Sequence, residues 1–377
     1  MNKVVVLGCG RVGATIARDL AADRELAVIA TDVSAASVAR LKAVAPDIRA
    51  EQVDLSSTDA VRKVIAEADV VVGAMPSALG LQTLQTVVEL GKKYCDISFM
   101  PEDALAVHER AKQTGATAVV DCGVAPGLAN MLIGHAAAAM GEVDEVVFYV
   151  GGLPWARHWP YQYRAPFAPL DVIEEYTRPA RFIEDGRVVT RPALSEPELL
   201  DFPRIGTLEA FNTDGLRSLL TTVKAHNMRE KTLRYPGHIE LMRVLRETGY
   251  FSKDAIDAGG KSVRPIDVTA QLLFAHWTPT PGETEFTVLR VIVRGKKSGV
   301  AINRQFDLMD ETDVKTCQSS MARTTGFPAA IMARMLARGE FREPGVFAPE
   351  QVAIKGEVMP RMLAELSARG VAISETR

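Results

Sequence analysis

A short β-branched run, Val4-Val5-Val6-Leu7, leads straight into Gly8-Cys9-Gly10-Arg11-Val12-Gly13. A segment from Val12 to Ala22 follows, with Ala14, Ala17 and Leu20 at helical spacing. A strand that turns into a helix over G-x-G-x-x-G admits few folds. The first glycine makes the tight turn, the second lets a pyrophosphate approach the backbone, and the third lets helix and strand pack closely. The helix N-terminus then faces the anion. The hexapeptide alone is weak evidence; the strand–turn–helix context makes it a dinucleotide signature. It predicts cofactor contacts at Gly8, Gly10, Arg11, Val12 and Gly13. Asp32 ends the next β-branched run, where a carboxylate bonds both ribose hydroxyls and repels a 2′-phosphate. Thr31-Asp32-Val33-Ser34 offers no arginine for that phosphate, so NAD is predicted over NADP.

Strand-like runs recur at Leu26–Ala30, Ile48–Val53, Val70–Val72, Tyr94–Ile97 and Ala116–Val120. Helices are predicted after Ser34, Ser57, Leu79 and Pro101, with Ser34 as a cap. Six short apolar strands alternating with helices predict an α/β protein built on a Rossmann-type doubly wound parallel sheet. Polar residues stand just past these strands, on the edge where such sheets bind ligands. Asp54 is expected near the adenine, Ala74, Met75, Pro76 and Ser77 near the nicotinamide ribose, and Asp96, Ser98 and Asp121 where a substrate meets the ring. Each acid also reads as a helix cap, and for Asp54 and Asp96 the two readings weigh about equally.

After Gly141 the pattern changes. Val143–Val150 is a longer strand. Arg181–Ile183 and Val188–Thr190 form a hairpin around Asp185-Gly186. Glu285–Arg294 and Val300–Leu308 form a second one around Gly295–Gly299. Helices are expected after Asp214, Pro236 and Pro265, which makes this an α+β segment and a second domain. The tail is read as helical, from Val314 to Arg338 with an apolar face including Cys317, Met321, Ile331, Met335 and Leu336, and again from Glu357 to Arg369. The domains are placed at 1–124 with 316–377, and at 125–315.

Lys+Arg 44 against Asp+Glu 47 leaves a net charge of −3, which argues against broad nucleic-acid binding. Four cysteines and six histidines are scattered without metal-ligand spacing, so no metal is expected. No run reaches the roughly 18 apolar residues of a membrane span. The apolar run at Val4–Leu7 is too brief for a signal peptide, and a cytoplasmic enzyme is expected. Trp155, Trp159, Tyr161 and Tyr163, interleaved with Arg157, His158 and Arg164, predict a loop over a cleft or a subunit contact, and a homodimer or homotetramer is expected.

Four stretches together resemble the saccharopine dehydrogenase/reductase-like family: Tyr94-Cys95-Asp96-Ile97-Ser98, Asp121-Cys122-Gly123-Val124-Ala125-Pro126-Gly127-Leu128, Ala210-Phe211-Asn212-Thr213-Asp214-Gly215 and Thr232-Leu233-Arg234-Tyr235-Pro236-Gly237-His238. The resemblance runs along nearly the whole chain. It implies a Rossmann domain, an inserted substrate domain, and C-terminal helices that return to the Rossmann domain; Ser320–Pro328 resembles the returning helix. Saccharopine reductases of the family typically use NADP. Asp32 departs from that and favours members that deaminate the ε-amino group of L-lysine with NAD, with secondary-amine members and a non-catalytic dinucleotide sensor as alternatives.

Amine oxidation needs a general base near the reacting nitrogen. Asp96, Glu102 and Asp121 are the carboxylate candidates, and His238, after a Pro-Gly turn, is the histidine candidate. Arg234 can grip an α-carboxylate as a two-pronged fork. Asp214, with Thr213, can hold an α-ammonium, although Thr213-Asp214 also reads as a cap. Asn130 and Ser98 are placed to reach the substrate, and Gly123 brings backbone toward the nicotinamide.

Overall fold

The computed structural model describes residues 1–165 and 169–377. They form two compact units, one of Met1–Ala139 with Met321–Ile373, the other of Met140–Ser320 with Ser374–Arg377.

The first unit is built on a seven-stranded sheet. Its order from one edge is Gly345–Phe347, Thr117–Val119, Lys93–Asp96, Val70–Gly73, Asn2–Leu7, Leu26–Asp32 and Arg49–Gln52, and every pairing is parallel. Local sequence explains the helices between them. Ser34 and Ser57 cap Ala35–Val44 and Thr58–Ile65, each side chain accepting the backbone N–H three residues on. Gly115, at φ +77°, ends His108–Thr114 in a left-handed turn. Val5, Leu7, Val71, Leu84 and Tyr94 pack together in the core of this unit.

The seventh strand corrects the reading of the tail as helical throughout. Gly345–Phe347 joins the edge beside Thr117–Val119, with Val346 opposite Ala118. The long tail helix starts at Ser320, not Val314. Asp313 Oδ1 instead accepts the Lys315 and Thr316 N–H groups in a turn. Cys317 is therefore exposed, at φ +54°, and is no part of an apolar helix face. From Ala329 to Leu336 the helix buries its apolar side chains. Arg334 pairs with Asp19 of the first helix at 2.6 Å, and Arg369 reaches Asp19 at 2.7 Å. Both ends of the Arg334–Asp19 pair are largely buried, so losing one end strands a desolvated charge.

Helix Leu128–Ala138 belongs to this unit, although residues from 125 on are expected in the second domain. The cause is a close backbone approach. A Cβ on Gly134 would lie 2.5 Å from the Glu350 carbonyl oxygen and 2.8 Å from its Cα.

In the second unit the sheet runs Glu198–Phe202, Gly206–Asn212, Asn227–Arg234, Glu142–Pro154, Glu285–Lys297, Val300–Glu311 and Ile373–Thr376. Asn227–Arg234 lies parallel to Glu142–Pro154 and antiparallel to Gly206–Asn212. The hairpin of Ala180–Glu184 with Arg187–Arg191 forms around Asp185-Gly186. The second hairpin is tighter than five turn residues allow. Lys297 pairs with Val300, which leaves Ser298 and Gly299, both at positive φ, as the two-residue turn. The helix expected after Asp214 is only the single turn Leu219–Thr222. Helix Pro169–Thr177 packs against both His238–Glu247 and Pro265–Trp277, around a core that includes Tyr176, Phe211 and Trp277.

Gly134→Ala is expected to destabilise the protein by about 1–3 kcal/mol, because the added methyl meets backbone that cannot rotate away. A urea midpoint equal to that of the unmodified chain would contradict this.

Candidate functional site

The glycine turn leaves no room for side chains at two of its three positions. Gly8 sits at φ +93°, and a Cβ there would meet the Ala74 carbonyl oxygen at 2.3 Å; one on Gly13 would meet the Gly8 carbonyl oxygen at 2.0 Å. Gly10 is different: nothing lies within 4 Å of its Cβ direction, and it caps helix Arg11–Ala21 without a side chain. This is the open backbone approach that a pyrophosphate needs at a helix N-terminus. Arg11 and Val12 open the helix here, with Arg11 exposed.

Asp32 is tied into the same turn. One oxygen accepts the Cys9 N–H and the other the Ser34 N–H, each at 2.8 Å. Burial and the neighbouring Asp32 carboxylate push the Cys9 thiol up to about 12, so it stays protonated. Arg40, in the following helix, lies near enough for its charge to act on Cys9, and it donates to Ser37 Oγ. A search limited to residues 31–34 misses this cation. Asp54 is exposed and accepts the Ser56 N–H, which holds its carboxyl below the usual range. Ala74 donates its N–H to the Leu7 carbonyl, Met75 is buried, and Pro76 precedes the turn Ser77–Leu79.

Asp96 is fully buried. Its Oδ1 accepts from the Tyr94 hydroxyl at 2.8 Å, and its Oδ2 from the Ser98 N–H and hydroxyl at 3.1 and 2.9 Å. Gly73 clears the space, since a Cβ there would lie 2.0 Å from the Tyr94 hydroxyl. Burial pushes Asp96 up to about 7, against the pull of these donors, and the Asp121 charge adds to the rise. Asp121 is buried at φ +53°. Ser98 is thus turned inward onto Asp96.

Beyond Asp121, Gly123 and Gly127 make a loop with no space for a side chain at 127, where a Cβ would meet the Gly123 carbonyl oxygen at 2.0 Å. Asn130 is spent on this loop. Its Oδ1 accepts the Gly127 N–H, and its Nδ2 donates to the buried Glu350. That corrects its expected reach to a substrate. Glu102 is exposed, and Asp103 beside it supplies the cap of the following turn.

In the second unit Arg234 ends its strand with 3% exposure. Its Nε donates to the Tyr176 hydroxyl, Nη1 to the Leu233 carbonyl at 3.0 Å, and Nη2 to Glu175 at 2.6 Å with the Tyr163 hydroxyl at 3.5 Å. The Tyr163 ring stacks under the guanidinium, 4.4 Å from ring centre to the guanidinium carbon. Four of the five guanidinium N–H groups are therefore committed. A carboxylate gains two prongs only by replacing Glu175. Glu175 itself is pushed up by burial, against the pull of Arg234.

The ammonium site expected at Thr213 and Asp214 is not available. Arg181 holds both Asp214 oxygens, with its N–H and Nε on Oδ1 and Nη2 on Oδ2. Thr213 donates to Glu230, a residue that the sequence gives no reason to single out. Glu230 is buried, accepts also from the Gly215 N–H and Thr232 hydroxyl, and is pushed by burial up to about 7. His238 is buried with both ring nitrogens engaged, by the Tyr161 carbonyl and the Tyr176 hydroxyl. Burial and the Arg234 charge lower it to about 3, so the ring stays neutral and does not change its protonation near neutral pH. Of the aromatic-rich segment, Trp159 is 89% exposed, Tyr163 is buried, and 166–168 lie outside the described residues. Among the described residues no group of three His, Cys, Asp or Glu is placed to hold a metal, and no helix is long and apolar enough to cross a membrane.

A parallel doubly wound sheet with this glycine turn and this strand-end acid defines a dinucleotide-binding oxidoreductase. The chain belongs to the saccharopine dehydrogenase family, whose members act on amines. Residues 4–119 match the saccharopine dehydrogenase NADP binding domain, and residues 123–371 the saccharopine dehydrogenase C-terminal domain. The chain is 27% identical over 229 residues to alpha-aminoadipic semialdehyde synthase of Arabidopsis thaliana, a match covering 55% of this chain and only 21% of that one. It is 24% identical over 387 residues to carboxynorspermidine synthase of Vibrio cholerae, covering 93% and 92% of the two chains. The fold matches apo saccharopine dehydrogenase (L-Glu forming) of Saccharomyces cerevisiae with a TM-score of 0.81 at 18% identity, over 100% of this chain and 99% of that one.

Asp96 gives the native state a proton that the unfolded chain has already released between about pH 4 and 7. Stability is therefore expected to fall as pH rises through that window and to level off above it. Asp96→Asn should make the fall shallower in urea titrations at pH 5 and 8. An unchanged slope would show Asp96 ionised in the fold.

Proposed function

We propose that the chain is a lysine 6-dehydrogenase: L-lysine, NAD⁺ and water give allysine, ammonium, NADH and a proton, and allysine cyclises to piperideine-6-carboxylate. The observation that carries this reading within the family is Asp32, whose carboxylate stands at the end of the second strand with both oxygens oriented by backbone N–H groups. A carboxylate there accepts ribose hydroxyls and repels a 2′-phosphate.

The open backbone at Gly10 and the first N–H groups of helix Arg11–Ala21 fit a pyrophosphate. A nicotinamide cofactor held there would supply the hydride acceptor for the substrate carbon. The chain supplies position and proton transfer. Arg234 anchors the substrate carboxylate, with Glu175 giving up Nη2. The proton leaving the substrate ammonium is taken by Asp96, whose carboxyl burial and the Asp121 charge push up to about 7.

The second reading is oxidation of a secondary amine, as in saccharopine reductase or a carboxynorspermidine-type enzyme. It is favoured by the similarity to carboxynorspermidine synthase along most of both chains. A dinucleotide sensor without turnover is the third. A panel of lysine, saccharopine, carboxynorspermidine and 1,5-diaminopentane with NAD and NADP, followed by nicotinamide absorbance, separates them. Lysine with NAD is the expected pair. Turnover of saccharopine alone overturns it, and no turnover leaves the sensor.

Asp32→Ala is expected to weaken NAD binding and relax discrimination against NADP, with Arg40 left as the nearby cation. Equal efficiency of the two cofactors in the unmodified chain would refute the role of Asp32. Arg234→Lys should raise the lysine KM by about tenfold or more, since an ammonium cannot reproduce the guanidinium fork. An unchanged KM would remove the carboxylate anchor.

A further inference from the structure

We infer that His238 is the positioning residue of Arg234, acting through the Tyr176 hydroxyl, and not an acid or base. The inference rests on the reading of Arg234 as the carboxylate anchor.

The hydrogen-bond chain has only one consistent direction. The Tyr161 carbonyl oxygen can only accept, and it lies 2.9 Å from His238 Nδ1, so Nδ1 carries the ring proton. In a neutral ring Nε2 is then an acceptor. It lies 2.9 Å from the Tyr176 hydroxyl, so Tyr176 must donate to it. With its proton committed, the Tyr176 oxygen offers its lone pairs to Arg234, whose Nε–H lies 3.2 Å away and can only donate. The side chains of His238, Tyr176 and Arg234 are buried, so water does not compete for the bonds that join them. Without His238 Nε2 as acceptor, the Tyr176 hydroxyl would be free to rotate and would no longer present a fixed lone pair to Arg234.

Placement along the chain supports the same role. Arg234 is the last residue of its strand, and His238 is the first of its helix. A turn closed by the His238 N–H on the Tyr235 carbonyl joins them. Gly237, at φ +94°, gives the turn a conformation that a side chain would strain. The turn thus brings histidine and arginine to opposite sides of one tyrosine hydroxyl, contributed by helix Pro169–Thr177.

The charges around His238 oppose any other role. Arg234 faces it across Tyr176, the Tyr163 ring lies 5.3 Å from it, and Glu175 is already paired with Arg234. A second proton on Nε2 would set a cation beside Arg234 and deprive the Tyr176 hydroxyl of its acceptor. Burial and Arg234 together hold the ring neutral.

The test uses the full chain with nitrogen-15-labelled histidine and arginine, and the variants Tyr176→Phe, His238→Leu and His238→Gln. Glutamine can place an oxygen near the position of Nε2. The unmodified protein is expected to show His238 as a neutral Nδ1–H tautomer, unchanged from pH 5.5 to 8.5, and a slowly exchanging Arg234 Nε–H. That Arg234 signal should be lost in Tyr176→Phe and His238→Leu and kept in His238→Gln. In turnover the first two variants should raise the lysine KM by about tenfold, the loss of one hydrogen bond to a charged group, with kcat within about twofold. The KM for 1,5-diaminopentane, which has no carboxylate, should not move.

Titration of His238 within that pH range overturns the inference. So does an Arg234 signal retained in both Tyr176→Phe and His238→Leu, or a collapse of kcat in His238→Gln at constant KM. If no amine is turned over, the proposed function fails, but the two signals still decide the role of His238. If His238→Leu does not fold, Tyr176→Phe and the unmodified protein carry the test.

Discussion

The first unit depends on one contact: the Gly13 α-carbon lies directly on the Gly8 carbonyl, with no space for a methyl group between them. That contact sets how closely the first helix approaches the first strand. The Gly8 α-carbon in turn lies against the Ala74 carbonyl, just past the tip of the neighbouring strand. Two strand ends and a helix start are therefore locked within a few ångströms. The Leu7–Ala74, Thr31–Gly8 and Asp32–Val53 backbone bonds extend this register along the carboxyl edge of the sheet. Gly73 repeats the principle, ceding its side-chain volume to Tyr94 and Asp96.

Features written in local chemistry were legible. The glycine turn, the strand-end position of Asp32 and the cap at Ser34 each depend on residues within a few positions of one another. Features set by distant partners were not. Asn227–Arg234 carries Arg229, Glu230, Lys231 and Arg234, a composition that argues against a central strand. It is central all the same, because each charge finds a partner elsewhere in the chain: Arg229 on Glu184 and Glu196, Lys231 on Glu198, Arg234 on Glu175. Glu230 has no cation, and hydroxyl and backbone donors satisfy it instead. The site residues divide in the same way. Asp32 could be placed from spacing. Asp214, Asn130 and His238 were of the right type in the right motif, yet each is bound to a partner that spacing cannot reveal.

Buried carboxyl groups in the two units meet a common problem with different donors. Asp96 is held by a tyrosine and a serine, and Glu230 by two threonines and a glycine N–H. In both, burial outweighs the donors and leaves the group near 7. Glu175, with a guanidinium at 2.6 Å, is also raised by burial, here against the pull of a full positive charge. A full opposite charge compensates desolvation better than neutral hydrogen bonds do.

The strand Gly345–Phe347 closes the sheet edge at Thr117–Val119, yet more than two hundred residues separate the two in the chain. A ribosome adds that stretch in roughly ten to forty seconds. Throughout that interval the backbone groups of Thr117–Val119 that will face Gly345–Phe347 have no native partner, and an open strand edge is a template for pairing with other chains. The interval also spans the synthesis of nearly all of the second unit. The first unit thus gains its edge strand only after most of the second has been made, and its vulnerability to aggregation is set by the order of synthesis as much as by the stability of the finished fold.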